Sequence, residues 1–98
     1  MITKIASYRV KPVALTLVLE AVGTFVAAIQ KLEPATRCDA FQYQSEPTRF
    51  VHMMTFPDEE AEKAHQQAAY TQSFVEVLYP NCENPPHFEQ VSIVSQLP

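Results

Sequence analysis

The sequence predicts an α+β domain with a four-stranded antiparallel sheet, in the order β-α-β-β-α-β of the ferredoxin-like arrangement. Three observations carry that reading. Apolar residues alternate at both ends of the chain, a helical stripe follows the first alternating run, and two more alternating runs flank a short polar turn before a second helical stretch. At 98 residues and 47% hydrophobic, the chain has the material for one core, so residues 1–98 are read as a single domain.

The first strand is placed at about Ile2 to Val10, with Ile2, Ala6, Tyr8 and Val10 on one face and Thr3, Ile5, Ser7 and Arg9 on the other. Pro12 ends it and suits a first helical turn. Leu15, Val18, Val22, Phe25, Ile29 and Leu32 then follow at steps of three and four, which is a helix with one buried stripe. Glu33 precedes Pro34 and is thereby pushed out of helical geometry, which stops the helix. Strands two and three, about Arg37 to Gln44 and Arg49 to Phe56, form a hairpin around Ser45-Glu46-Pro47-Thr48. Asp58 is an N-cap, and Glu59 and Glu60 favour the positive end of the helix dipole. That helix runs to about Gln67, with a break near Ala68-Ala69-Tyr70 before Phe74, Val77 and Leu78 resume helical spacing. Pro80 ends the run, and a last strand spans about His87 to Val94.

Both faces of this sheet carry apolar residues, yet two helices cover only one. With Phe50, His52, Met54 and Phe56 toward the helices, Val51, Met53 and Ile5 face away, so a second copy is expected to cover them in a homodimer packed sheet to sheet. A formal charge of −4, with seven Lys and Arg spread along the chain, argues against a nucleic-acid surface and a polybasic membrane patch. Residues 2–10 are apolar only at alternate positions and resemble neither a signal peptide nor a membrane span, so a cytoplasmic protein is expected. Cys38 and Cys82 lack C-x-x-C spacing and read as free thiols.

Several segments resemble the antibiotic biosynthesis monooxygenase (ABM) family. They are Ile2 through Pro12, the hairpin Glu46-Pro47-Thr48-Arg49-Phe50-Val51, the stretches Asp58-Glu59-Glu60-Ala61 and Ala64-His65, and Phe74 through Leu78 followed by Pro85-Pro86. The resemblance implies a dimeric α+β barrel with a small pocket between sheet and helices in each subunit. It also implies oxidation of a hydroquinone or polycyclic phenol by O2 without metal, flavin or heme. Two departures stand out: a Glu-x-Trp pattern of many members is Met54-Thr55-Phe56 here, with no tryptophan in the chain, and a second helix histidine is Tyr70. The heme-degrading relatives' ligating histidine is replaced by Val75, which argues against heme.

His65 matches the family's helix histidine and is the candidate base, since an imidazole with a pKa near 6.5 takes a proton at neutral pH. A phenol ionises near 10, so that transfer is uphill by about 5 kcal/mol before the pocket contributes. Tyr70 and His52 are candidate hydrogen-bond donors to the developing oxyanion. Phe50, Met54 and Phe56, with Tyr8, are candidate walls of the pocket. His52 equally suits a satisfied core histidine. His52, His65 and His87 show no ligand spacing within one element, so no metal site is expected. Two alternatives keep the scaffold: an isomerase moving a proton beside a carbonyl, and a non-catalytic small-ligand-binding or stress-response dimer.

Overall fold

The computed structural model describes residues 1–97. β1 (Ile2–Arg9), a 3₁₀ turn at Pro12–Ala14, α1 (Leu15–Leu32), β2 (Arg37–Gln42), β3 (Arg49–Phe56), α2 (Glu59–Gln67), α3 (Ala69–Leu78) and β4 (His87–Val91) follow in that order. The strands form one antiparallel sheet, β2-β3-β1-β4, in the expected α+β arrangement. β2 and β4 each end sooner than the alternation suggested, at Gln42 and Val91.

Register settles the two faces. Ala40, His52, Ala6 and Phe88 lie side by side across the sheet, as do Phe41, Val51, Ser7 and His87 one step on. β3 has no bulge, so Phe50, His52 and Phe56 all turn toward the helices, where each is at least 97% buried. The core is completed by Val18, Val22, Phe25 and Ile29 of α1 with Phe74 and Leu78 of α3, the rings of Phe25 and Phe74 stacking at 4.2 Å. α1, with the turn before it, is long and apolar enough to cross a membrane by length and composition. One side of it is nonetheless the stripe just named, buried in this core.

The stripe departs from expectation at its end. Leu32 is exposed, and the position four residues after Ile29 belongs to Glu33, whose side chain turns inward. Asp58 caps α2 by accepting from the Ala61 N–H at 2.8 Å. At Ala68 the backbone is extended (φ −66°, ψ 142°), which separates α2 from α3 where the break was expected.

Candidate active site

A cavity of about 550 Å³ lies between the helix-facing side of β1, β3 and β4 and the paired helices α2 and α3. It exists because α1 packs on β2 and α3, while no helix covers β4, which is exposed along its whole length. β1 contributes Lys4, Ala6 and Tyr8, β3 contributes His52, Met54 and Phe56, and β4 contributes Phe88. From the helices come Phe25, Glu62, His65, Thr71, Phe74 and Leu78. Carbon dominates this wall, with an ion pair between Lys4 and Glu62 among the lining side chains.

His65 is the buried residue of α2, wedged between Phe25 and Phe56 with ring centroids 5.6 and 5.2 Å away. Its Nδ1 lies 2.7 Å from Glu33 Oε2. Burial pushes the Glu33 carboxyl up, but hydrogen bonds from Tyr70 and His65, the His65 charge and the Thr36 hydroxyl outweigh it and hold the group below its usual range. An ionised carboxylate only accepts, so Nδ1 carries a proton and donates to Glu33, which leaves Nε2 as the ring nitrogen outside that bond.

Tyr70 donates its hydroxyl to the same Glu33 oxygen and does not line the cavity. Burial, then the bond to Glu33, pushes its phenol up to about 12, so it remains a donor with its proton engaged. Phe50 is likewise absent from the wall; 2% exposed, it stacks beneath Tyr8 at 5.3 Å. The structure thus gathers His65, His52, Tyr8, Met54 and Phe56 around one space and sets Tyr70 and Phe50 behind it.

At the other end of the aromatic wall, Tyr8 Oη and His52 Nε2 are 2.7 Å apart. Burial pushes the His52 ring down to about 4 and the Tyr8 phenol well above its usual value, so one proton joins two neutral groups. His52 is therefore no base at neutral pH. This has a consequence for stability. Between pH 6.5 and about 4 the unfolded chain binds a proton at His52 that the folded chain refuses, so stability falls as pH falls through that window. The loss is about 3 kcal/mol. Urea unfolding at pH 7 and pH 4.5 is expected to show the wild type losing markedly more stability than His52→Gln; equal losses refute the assignment.

Glu33 was legible only as the end of a helix. The available signal was its place four residues beyond Ile29, on the buried side of α1, where a carboxylate requires partners. His87 stands on the far side of the sheet from His52, beside Glu89, and among the described residues no three His, Cys, Asp or Glu side chains converge. Cys38 and Cys82 are free.

A search of the curated proteins finds no match. Among solved structures, one of an antibiotic biosynthesis monooxygenase superposes with a TM-score of 0.87 at 24% identity, covering 97% of this chain and 100% of its own. A protein of Nitrosomonas europaea, described as a candidate antibiotic biosynthesis monooxygenase, gives 0.87 at 22% identity with the same coverage. One from Caulobacter crescentus CB15, described in the same way, gives 0.86 at 17%, covering 96% of this chain and 90% of its own. At these identities the likeness concerns the fold alone. The antibiotic biosynthesis monooxygenase family model matches residues 1–77, the stretch that carries Tyr8, Glu33, His52 and His65, and the chain belongs to that family.

Proposed function

We propose that the protein is a cofactor-independent monooxygenase that oxidises an electron-rich phenol or hydroquinone with O2. The observation that carries this reading is an ionised Glu33 holding His65 by Nδ1 at the edge of a cavity whose wall is mostly carbon. In such a site His65 Nε2 takes the phenolic proton, and Glu33 stabilises the imidazolium that forms. The phenolate passes one electron to O2, and the resulting pair combines at a ring carbon that bears hydrogen, para to the phenolate oxygen in a phenol and ortho to it in a hydroquinone, to give a peroxide that the imidazolium protonates. Loss of water then leaves a carbonyl, so a phenol and O2 become a quinone and water, with one oxygen atom in each product. The neutral Tyr8–His52 pair offers a polar contact for the substrate at the opposite end of the aromatic wall.

Oxygen uptake by metal-stripped protein over a panel of phenols and hydroquinones tests this. Uptake matched by quinone formation is expected; turnover that proceeds equally well without oxygen points to the isomerase alternative, which the same imidazole–carboxylate pair suits.

The assembly proposed with it is a homodimer through the uncovered sheet face. Phe41 is 52% exposed there, Met53 44% and Val91 37%, beside half-buried Ile5 and Val51. A face of this kind in a small domain suits a second copy. Met53→Lys acts twice across a two-fold axis and is expected to raise the dimer dissociation constant at least about a hundredfold. Light scattering at micromolar concentration checks it, and a monomeric wild type refutes the dimer.

A further inference from the structure

Val18, Val22, Phe25 and Ile29 bury one side of α1, which leaves the opposite side of an 18-residue helix in water. That side reads Thr16, Glu20, Gly23, Ala27 and Lys31 at steps of three and four, with Val13 95% exposed just before it. A solvated helix face ordinarily carries charges, yet Glu20 is the one charged residue between Lys11 and Lys31. Neither Glu20 nor Lys31 has an ion-pair partner among the described residues. Beside them, between α1 and α3, runs a groove of about 440 Å³ whose walls include Leu17, Glu20, Thr24 and Val77. The chain's single glycine, Gly23, stands in the middle of this face. Glycine in a helix interior is costly beside alanine, because it gives up more backbone freedom on folding. Nothing inside the subunit explains it: Gly23 has no positive φ, and a Cβ placed there meets no atom within 4 Å. The space it keeps clear lies outside the subunit, where glycine serves the close approach of another backbone.

We propose that two copies of this chain pack α1 against α1, antiparallel across a two-fold axis, with Glu20 of each copy paired to Lys31 of the other. Setting position 20 against 31 in an antiparallel pair also sets 24 against 27, so the helices cross at the level of Phe25 and Val26. Gly23, Thr24 and Ala27 then lie within one turn of the crossing, and their small side chains let the two helices approach closely. Glu20 and Lys31 are about 16 Å apart along the helix, so each meets its counterpart about 8 Å from the crossing. The face is thus complementary to itself, opposite charges flanking a small-residue centre, which is what an isologous contact between identical copies requires. It lies on the helical side of the subunit, away from the sheet face, and goes beyond the homodimer proposed above. A contact between two helices of this length is small as interfaces go, and its affinity is correspondingly weak.

Analytical ultracentrifugation from about 5 μM to about 1 mM protein, the range in which small interfaces associate, tests this. The wild-type particle is expected to double in mass across that range. Glu20→Lys and Lys31→Glu each set like charges opposite one another and are expected to raise the dissociation constant of the doubling about tenfold or more. The two substitutions combined restore the opposite-charge pairs and are expected to return it to within about threefold of wild type. Gly23→Gln is expected to melt above the wild type in dilute solution, since it improves the helix, and to lose the doubling. Met53→Lys is expected to keep the doubling, now from monomer to dimer, because it touches only the sheet face. A wild type that does not double, a combined charge swap no better than the single ones, or a Gly23→Gln protein that melts lower or assembles like wild type overturns the proposal. So does a doubling lost in Met53→Lys, which then belongs to the sheet face. A wild type that stays undoubled and floats with phosphatidylcholine vesicles assigns the α1 face to a lipid surface instead, and equally overturns it.

Discussion

Replacing His65 with alanine is expected to lower oxygen-dependent product formation by about 10²- to 10⁴-fold, the range that a positioned general base supplies. His65 is the buried residue of α2, held through Nδ1 by an ionised partner, so its other nitrogen is the base the cavity offers. The alanine variant also leaves a cavity between Phe25 and Phe56 and leaves the Glu33 carboxylate with one hydrogen-bond donor fewer, which costs about 1–3 kcal/mol or more. His65→Gln separates chemistry from stability, because an amide can still donate to Glu33 but cannot take a proton near neutral pH. Initial rates of oxygen uptake and quinone absorbance, with melting temperatures beside them, decide the matter. A glutamine variant with wild-type turnover removes His65 from the reaction.

Glu33→Gln is expected to lower kcat by about a hundredfold or more while leaving KM within about twofold. Glu33 has no place in the wall, so ligand binding does not require it; its effect passes through the ring it holds. A glutamine loses the charge that stabilises the imidazolium. It also presents an N–H to Nδ1 in one of its orientations, which selects the tautomer with Nε2 protonated and removes the basic atom from the cavity. Tyr70→Phe is the control. It removes the second donor on the same oxygen and keeps the carboxylate, so kcat is expected to fall no more than about tenfold. Equal losses of kcat in Glu33→Gln and Tyr70→Phe, or a change confined to KM, contradict the positioning role of Glu33.

Much of this architecture was legible because local and global preferences agree. The alternation of Phe50, His52, Met54 and Phe56 gave both the strand and its buried face, and Asp58 marked the start of α2 through capping chemistry that needs no tertiary context. The break at Ala68 was visible as an interruption in spacing. The strand ends were less legible: Tyr43, Ile93 and Val94 suit a strand by residue type, yet β2 stops at Gln42, beyond which Tyr43 keeps a backbone bond to Arg49, and β4 stops at Val91. Within the site, His65 could be named from the family resemblance and His52 from its place in the alternating run of β3. Glu33 and the rear placement of Tyr70 could not, because both follow from how α1 ends against α2 and α3, a meeting of elements far apart in the chain. Phe50 was assigned to the wall by its neighbours in β3, but Tyr8 from the adjacent strand lies over it.

The interruption at Ala68 bears on what holds His65 in place. A nine-residue helix has little stability of its own, and α2 hangs between the turn at Pro57-Asp58 and the extended backbone of Ala68. What fastens it to the rest of the protein is the pair Lys4–Glu62 and the imidazole clasped by Glu33 and two phenylalanines. The imidazole proposed as proton acceptor is thus also the rivet of its own helix. Any displacement of α2 would part this imidazole from Glu33, so the seat of the helix and the tautomer of its histidine are a single property of the fold.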